Sequence, residues 1–187
     1  MCIRDSSSTD QIINSEDISK DSSVYLAIGS PYYRKQEVIR NKSIQFKKLI
    51  LSKGLEGLKD LSIGEGSVIL SGTTITSKVT IGDYSLVNIG CNISHDVKIG
   101  NYVTISPGVN IAGNCKIEDG AFIGIGSTIV NDITVAKGAV LGAGSTLINN
   151  ADVQNGVYVG CPAKLVKTND TWLKLSLIHI SEPTRPY

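Results

Sequence analysis

Histidine is almost missing from this chain: it has two in 187 residues, His95 and His179. A zinc centre built from several imidazoles is thereby excluded, and no metal is expected. Net charge is nearly absent as well, at +1, so neither nucleic acid nor an anionic membrane is a favoured partner. No apolar run approaches the ~20 residues that a bilayer span requires, and nothing resembles a signal peptide; no membrane insertion and a cytoplasmic location are the expectations that follow. The four cysteines form neither a CxxC pair nor a disulfide framework, and Cys91 and Cys115 fall where a small apolar filler is wanted.

What the chain has in abundance is a beat of six. Seventeen units run from Ile63 to Lys164, and each opens with Ile, Val or Leu. The fifth position is small or β-branched (Ser67, Thr73, Val79, Cys91, Ala121), so two side chains per unit point inward at the alternating spacing of a strand. Glycine takes the fourth position in nine units, as a sharp corner with positive φ demands. Gly64, Gly82 and Gly100 recur every eighteen residues, which makes three units one coil. Hexapeptide periodicity of this kind predicts a parallel β-helix, an all-β domain over residues 63–167 whose coils stack about 4.8 Å apart. Each inward Ile or Val contributes about 1.5–3 kcal/mol by burial.

Both ends depart from this pattern. Residues 1–6 and 175–187 resemble translated sequencing-adapter read-through and are set aside, which leaves His95 as the single histidine of the body. Residues 7–62 read as a truncated α/β fragment: a strand at Val24–Gly29, a helix at Pro31–Lys42 and a strand at Phe46–Leu51. No GxGxxG turn precedes them, so nucleotide binding by this fragment has little support from the residues alone.

Chemistry is expected on the corners. One corner column is glycine at its fourth position nearly throughout (Gly72, Gly90, Gly108, Gly126, Gly144), a bare edge against which a ligand could lie, although tight corners want glycine without any ligand. Another column is polar at every level and holds His95, the imidazole suited to proton transfer near neutral pH, beside Asp96, a carboxylate able to orient it. The pair can meet because it falls on a corner. One coil on, Gly113 stacks about 5 Å away, where its amide could serve a developing oxyanion. The plain alternative is a histidine that is only a turn residue. An outward strip of Val68, Leu86, Thr104, Phe122, Val140 and Tyr158 reads as an apolar self-contact.

The stretch VNIGCNISHDVKIGNYVTISPGVNIAGNCKIEDGAFIGIGSTIV, followed by VYVGCPAKLVK, resembles the hexapeptide-repeat sugar acetyltransferases of the sialic acid O-acetyltransferase and bacillosamine N-acetyltransferase type. The resemblance spans about Val24 to Lys167. It implies a left-handed β-helix, a homotrimer, and acetyl transfer from acetyl-CoA to the amino or hydroxyl group of a sugar, nucleotide linkage of that sugar being an implication of the N-terminal fragment's likeness to a nucleotide-sugar-binding domain. By the same match His95 is the general base, Asp96 its carboxylate partner, Thr104, Gly113, Ile125 and Ala143 the cofactor contacts, and Gly29 and Asn88 the substrate contacts. Many members carry histidine where this chain has Thr104.

Thr104 is half a coil from His95, on the opposite side of one prism, so the two could share a site only across a subunit interface. Cys161 lacks a paired base, so direct attack is expected rather than an acyl-enzyme. The competing class is a non-catalytic trimer acting as a sugar-binding or scaffold module. An ice-binding face is disfavoured by the broken ladder Thr74, Asn92, Asn110, Thr128, Thr146.

Overall fold

A computed structural model describes residues 23–55, 58 and 60–169; the two ends set aside above lie outside them. From Leu61 to Leu147, strands of two or three residues alternate with corners and stack in parallel into three sheets. The chain visits them in turn. We call them the long face, which carries Val68–Ile69 and Thr104–Ile105, the second face, which carries Asn92–Ile93, and the third face, which carries Lys98–Ile99. Pairing is in register every eighteen residues, as in Asn92↔Asn110↔Thr128.

The predicted inward columns fill the core. First-position residues from Ile69 to Leu147 and fifth-position residues such as Val79, Val97, Val103 and Val109 are buried in one continuous cluster. Polar fifth positions are tolerated because each finds a backbone partner in the next coil: Ser67 Oγ donates to Gly82 O at 2.7 Å, Ser85 Oγ to Gly100 O at 2.8 Å and Ser127 Oγ to Gly142 O at 2.8 Å, while Ser145 Oγ accepts from Gly160 N at 3.0 Å. Buried hydroxyls without such partners would each cost about 1–3 kcal/mol. Cys91 and Cys115 do more than fill space, since their thiols reach Ser106 O at 3.2 Å and Val130 O at 3.1 Å.

The eighteen-residue glycine period has its own cause. At the edge between the third and long faces, Asp83, Asn101 and Asp119 each turn a side-chain oxygen back to the amide one coil below: Asp83 Oδ1 accepts from Glu65 N, Asn101 Oδ1 from Asp83 N and Asp119 Oδ1 from Asn101 N, all at 2.8 Å. A Cβ at Gly64, Gly82 or Gly100 would sit within 2.5 Å of those same oxygens. Glycine is required by the ladder of caps.

Three expectations are corrected. The beat does not persist to Lys164: Val140 pairs with Val157 and Leu141 with Tyr158, so the last coil is one residue short. Asn155 rather than Gly156 takes the positive φ, Tyr158 turns into the core with its hydroxyl accepting from Val153 N at 3.0 Å, and Val153 and Val159 are left exposed. The outward strip is not a free apolar surface, because Val68, Leu86 and Thr104 are already buried within one chain. The segment over residues 24–51 covers the long face, with Leu49–Ile50 pairing alongside Val68–Ile69 and with Leu26 and Phe46 buried. Within that segment the strand expected at Val24–Gly29 is a single bridge, Val24↔Phe46. The helix, α1, spans Pro31–Arg40 and stops at Asn41, whose side chain caps Glu37 O at 3.0 Å.

Candidate active site

The corner between the second and third faces carries His95. Asp96 adopts a left-handed conformation, φ 60°, which folds its side chain back beside the preceding residue. Its Oδ2 lies 2.8 Å from His95 Nδ1. An ionised carboxylate only accepts, so Nδ1 donates and the neutral ring presents Nε2 as a bare lone pair. Asp96 Oδ1 faces Lys78 Nζ at 4.0 Å, one coil below. His95 and Asp96 side chains are 63% and 45% exposed, so the pair is open to an incoming reactant.

Gly113, one coil above, lies directly against the imidazole. A Cβ there would lie 2.6 Å from His95 Cε1 and 2.8 Å from Nε2, and its backbone lacks the positive φ of the corner glycines. This glycine is therefore explained by the ring packed against it and not by the turn. Along this edge each fourth-position amide donates to the third-position carbonyl one coil below: Asp96 N to Ser77 O, Asn114 N to His95 O and Asp132 N to Gly113 O. The Gly113 amide itself has no partner among the described residues. Farther up the edge, hydrogen bonds from Asn114 and then Asn131 hold the Asp132 carboxyl below the usual range.

Other expected site residues lie elsewhere. Asn88, Ile125 and Ala143 fall on the edge between the long and second faces, where Gly90, Gly108, Gly126 and Gly144 have φ from +64° to +68° with open space outside each Cα. Positive φ accounts for these glycines. Ile125 is 56% and Ile89 52% exposed, which leaves an apolar border along the bare backbone. Asn88 Oδ1 accepts from Ile89 N at 2.9 Å.

Gly29 and Thr104 meet each other on the long face, opposite His95. Thr104 Oγ1 donates to Gly29 O at 2.8 Å and accepts from Arg34 Nη2 at 2.9 Å. Thr104 is 3% exposed, so its hydroxyl is taken up inside the chain. One chain thus brings His95, Asp96 and Gly113 together and holds the remaining residues at two other places.

Arg34 was not singled out in the sequence. Nothing in a six-residue beat reaches a helix outside the coils, and the signal available was only an arginine on a helix already expected. Among the described residues no group of three His, Cys, Asp or Glu side chains could hold a metal, and no helix is long and apolar enough to cross a membrane. A shallow groove lined by Lys98, Lys116 and Lys137 lies on the third face and contains none of the expected site residues.

The bacterial transferase hexapeptide (six repeats) family model matches residues 78–113 and 114–149. Among solved structures the chain is similar to WeeI from Acinetobacter baumannii AYE, at 29% identity and a TM-score of 0.68 over 80% of this chain and 73% of that one. It is similar to the acetyltransferase domain of PglB from Neisseria gonorrhoeae FA1090, at 25% identity and a TM-score of 0.67 over 77% and 70%. A mutant perosamine N-acetyltransferase from Caulobacter crescentus, in complex with CoA and GDP-perosamine, has 21% identity and a TM-score of 0.69 over 78% and 70%, a likeness of fold. No curated protein sequence matches the chain.

Proposed function

We propose that this chain, an acyltransferase on the left-handed β-helix of hexapeptide-repeat sugar acetyltransferases, moves an acetyl group from acetyl-CoA to an amino or hydroxyl group of a sugar, with His95 as general base. The single observation that carries the reading is the imidazole packed against Gly113, with Nδ1 held by Asp96 and Nε2 free. A lone turn histidine has no need of a carboxylate on one nitrogen and a missing side chain beside the other.

The steps follow from that arrangement. Nε2 takes the proton of the acceptor N–H or O–H as the heteroatom attacks the thioester carbonyl. The carbonyl oxygen gains the electron pair and accepts a hydrogen bond from the Gly113 amide. Collapse of the tetrahedral species expels the CoA thiolate, which takes the proton back from His95. General-base catalysis of this kind is worth about 10²–10⁴-fold, and one oxyanion donor about 10²–10³-fold.

The donor would run along the glycine edge, where Ile125 and Ala143 border open backbone, and the acceptor would meet the Gly29 turn, with a nucleotide carrying the sugar. Since these lie away from His95 in one chain, the complete site requires a second copy, and a homotrimer is the assembly that the reading implies. The edge of one copy would then meet the flank of its neighbour. The test is His95→Ala, assayed by CoA release against a panel of free and nucleotide-linked amino and hydroxy sugars. Turnover should fall by about 10²–10⁴-fold with acetyl-CoA binding retained, and wild-type turnover in the variant would overturn the reading.

A further inference from the structure

The β-helix corners of Tyr84 and Tyr102 are left-handed, φ 54° and 55°, and a carbonyl at such a corner lies outside the coil-to-coil ladder. Elsewhere water can satisfy it. Here the N-terminal segment lies over the corners, and Arg34 reaches both: Nε donates to Tyr84 O at 2.7 Å and Nη2 to Tyr102 O at 2.9 Å. The other side of the same guanidinium holds the turn before α1, with Nη1 donating to Ile28 O and, at 3.4 Å, to Gly29 O. Thr104 closes the circuit by linking Nη2 to Gly29 O.

Arg34 is fully buried and meets only neutral oxygens. The nearby buried acid, Glu37, is taken by Arg40 and Asn41. Desolvation draws the guanidinium down to about 9. A buried cation without a carboxylate is costly unless its hydrogen bonds are complete, and a flat five-donor fork is the group able to satisfy two strands and a turn at once.

We infer that Arg34, with Thr104, is a positioning residue that fixes the Ile28–Ser30 turn to two successive coils, so that the acceptor-binding turn is held rigidly on the long face. The assignment of that turn to the acceptor rests on the proposed function. The packing does not. Arg34 touches no reacting atom, and its effect would be transmitted through Gly29.

The test uses Arg34→Met, Arg34→Lys and Thr104→Val in the full chain. Hydrogen exchange over residues 29–38 should accelerate about tenfold or more in Arg34→Met and about fivefold in Thr104→Val, the scale of several lost hydrogen bonds against one. With the best acceptor from the nucleotide-linked amino sugars, acceptor KM should rise about tenfold in Arg34→Met while kcat and acetyl-CoA KM hold, and Arg34→Lys should not rescue it. Unchanged exchange, or faster exchange with unchanged acceptor KM, would overturn the inference. Equal losses in kcat and both KM values alongside a lower melting temperature would mean a general fold role and would also overturn it. Failure of the acetyl-transfer reading looks different, since the unmodified chain would then turn over no acceptor at all.

Discussion

Replacing Gly113 by alanine separates the geometry of the base from the stability of the fold. The new methyl would stand 2.6 Å from His95 Cε1, 2.8 Å from Nε2 and 3.2 Å from Nδ1, whereas carbon contacts settle at about 3.5–4.0 Å. The ring must therefore move by about 1 Å or swing away. It can do so cheaply, because the side chain is 63% exposed and the lost contact to Asp96 is a solvent-screened pair worth about 0.5 kcal/mol. Loss of glycine freedom in the unfolded chain returns about 0.4–1 kcal/mol, and no positive φ opposes the alanine. The two terms offset each other, so the melting temperature should stay within about 2 °C. Catalysis should not be spared: a displacement of about 1 Å costs about 10²-fold in kcat. Thermal melting together with kcat at saturating acetyl-CoA decides the matter. A Gly113→Ala variant with wild-type kcat and an intact melt would refute the packing of His95 against Gly113 as the working geometry.

Two further outcomes follow from the charge and burial pattern. A 2.7 Å hydrogen bond from Lys116 is the main influence holding the Glu118 carboxyl below its ordinary value of 4.5, so its contribution is present above that pH and is lost as pH falls through the lowered folded value. Glu118→Gln should then melt slightly below the native chain near neutrality, by less than about 0.5 kcal/mol equivalent, with the gap closing in acid; a gap that widens in acid would contradict the sign. Burial pushes the Cys91 and Cys115 thiols up while Cys161 is exposed, so brief iodoacetamide labelling mapped by mass spectrometry should modify Cys161 and spare the other two. Rapid labelling of Cys91 would show that the core opens readily.

The coils were legible because a two-way alternation and a corner every six residues leave few other ways to bury Ile69, Ile75 and Ile81 together. The meeting of His95 with Gly113 was legible for the same reason: eighteen residues make one coil, and stacking follows from counting. Counting failed between Leu147 and Tyr158, where Ala151 pairs with Val135 two residues early and Val157 with Val140 one residue early, since Val153 and Val159 preserve the apolar beat in sequence while the backbone abandons it. It failed again on the long face, where an outward Val68 or Leu86 looks alike whether a sister copy or the same chain covers it. Arg34 belongs to that second failure. Its partners are backbone carbonyls, which carry no residue-specific mark.

The short last coil also bears on how far the stack can extend. Ala163–Thr168 doubles back antiparallel on Gly156–Gly160, so among the described residues the long face ends in a strand running against the direction of the seven beneath it. An end-on newcomer would need a parallel strand to continue the lattice and meets a reversed one. A sheet that could otherwise template its own fibre carries a built-in stopper at this end.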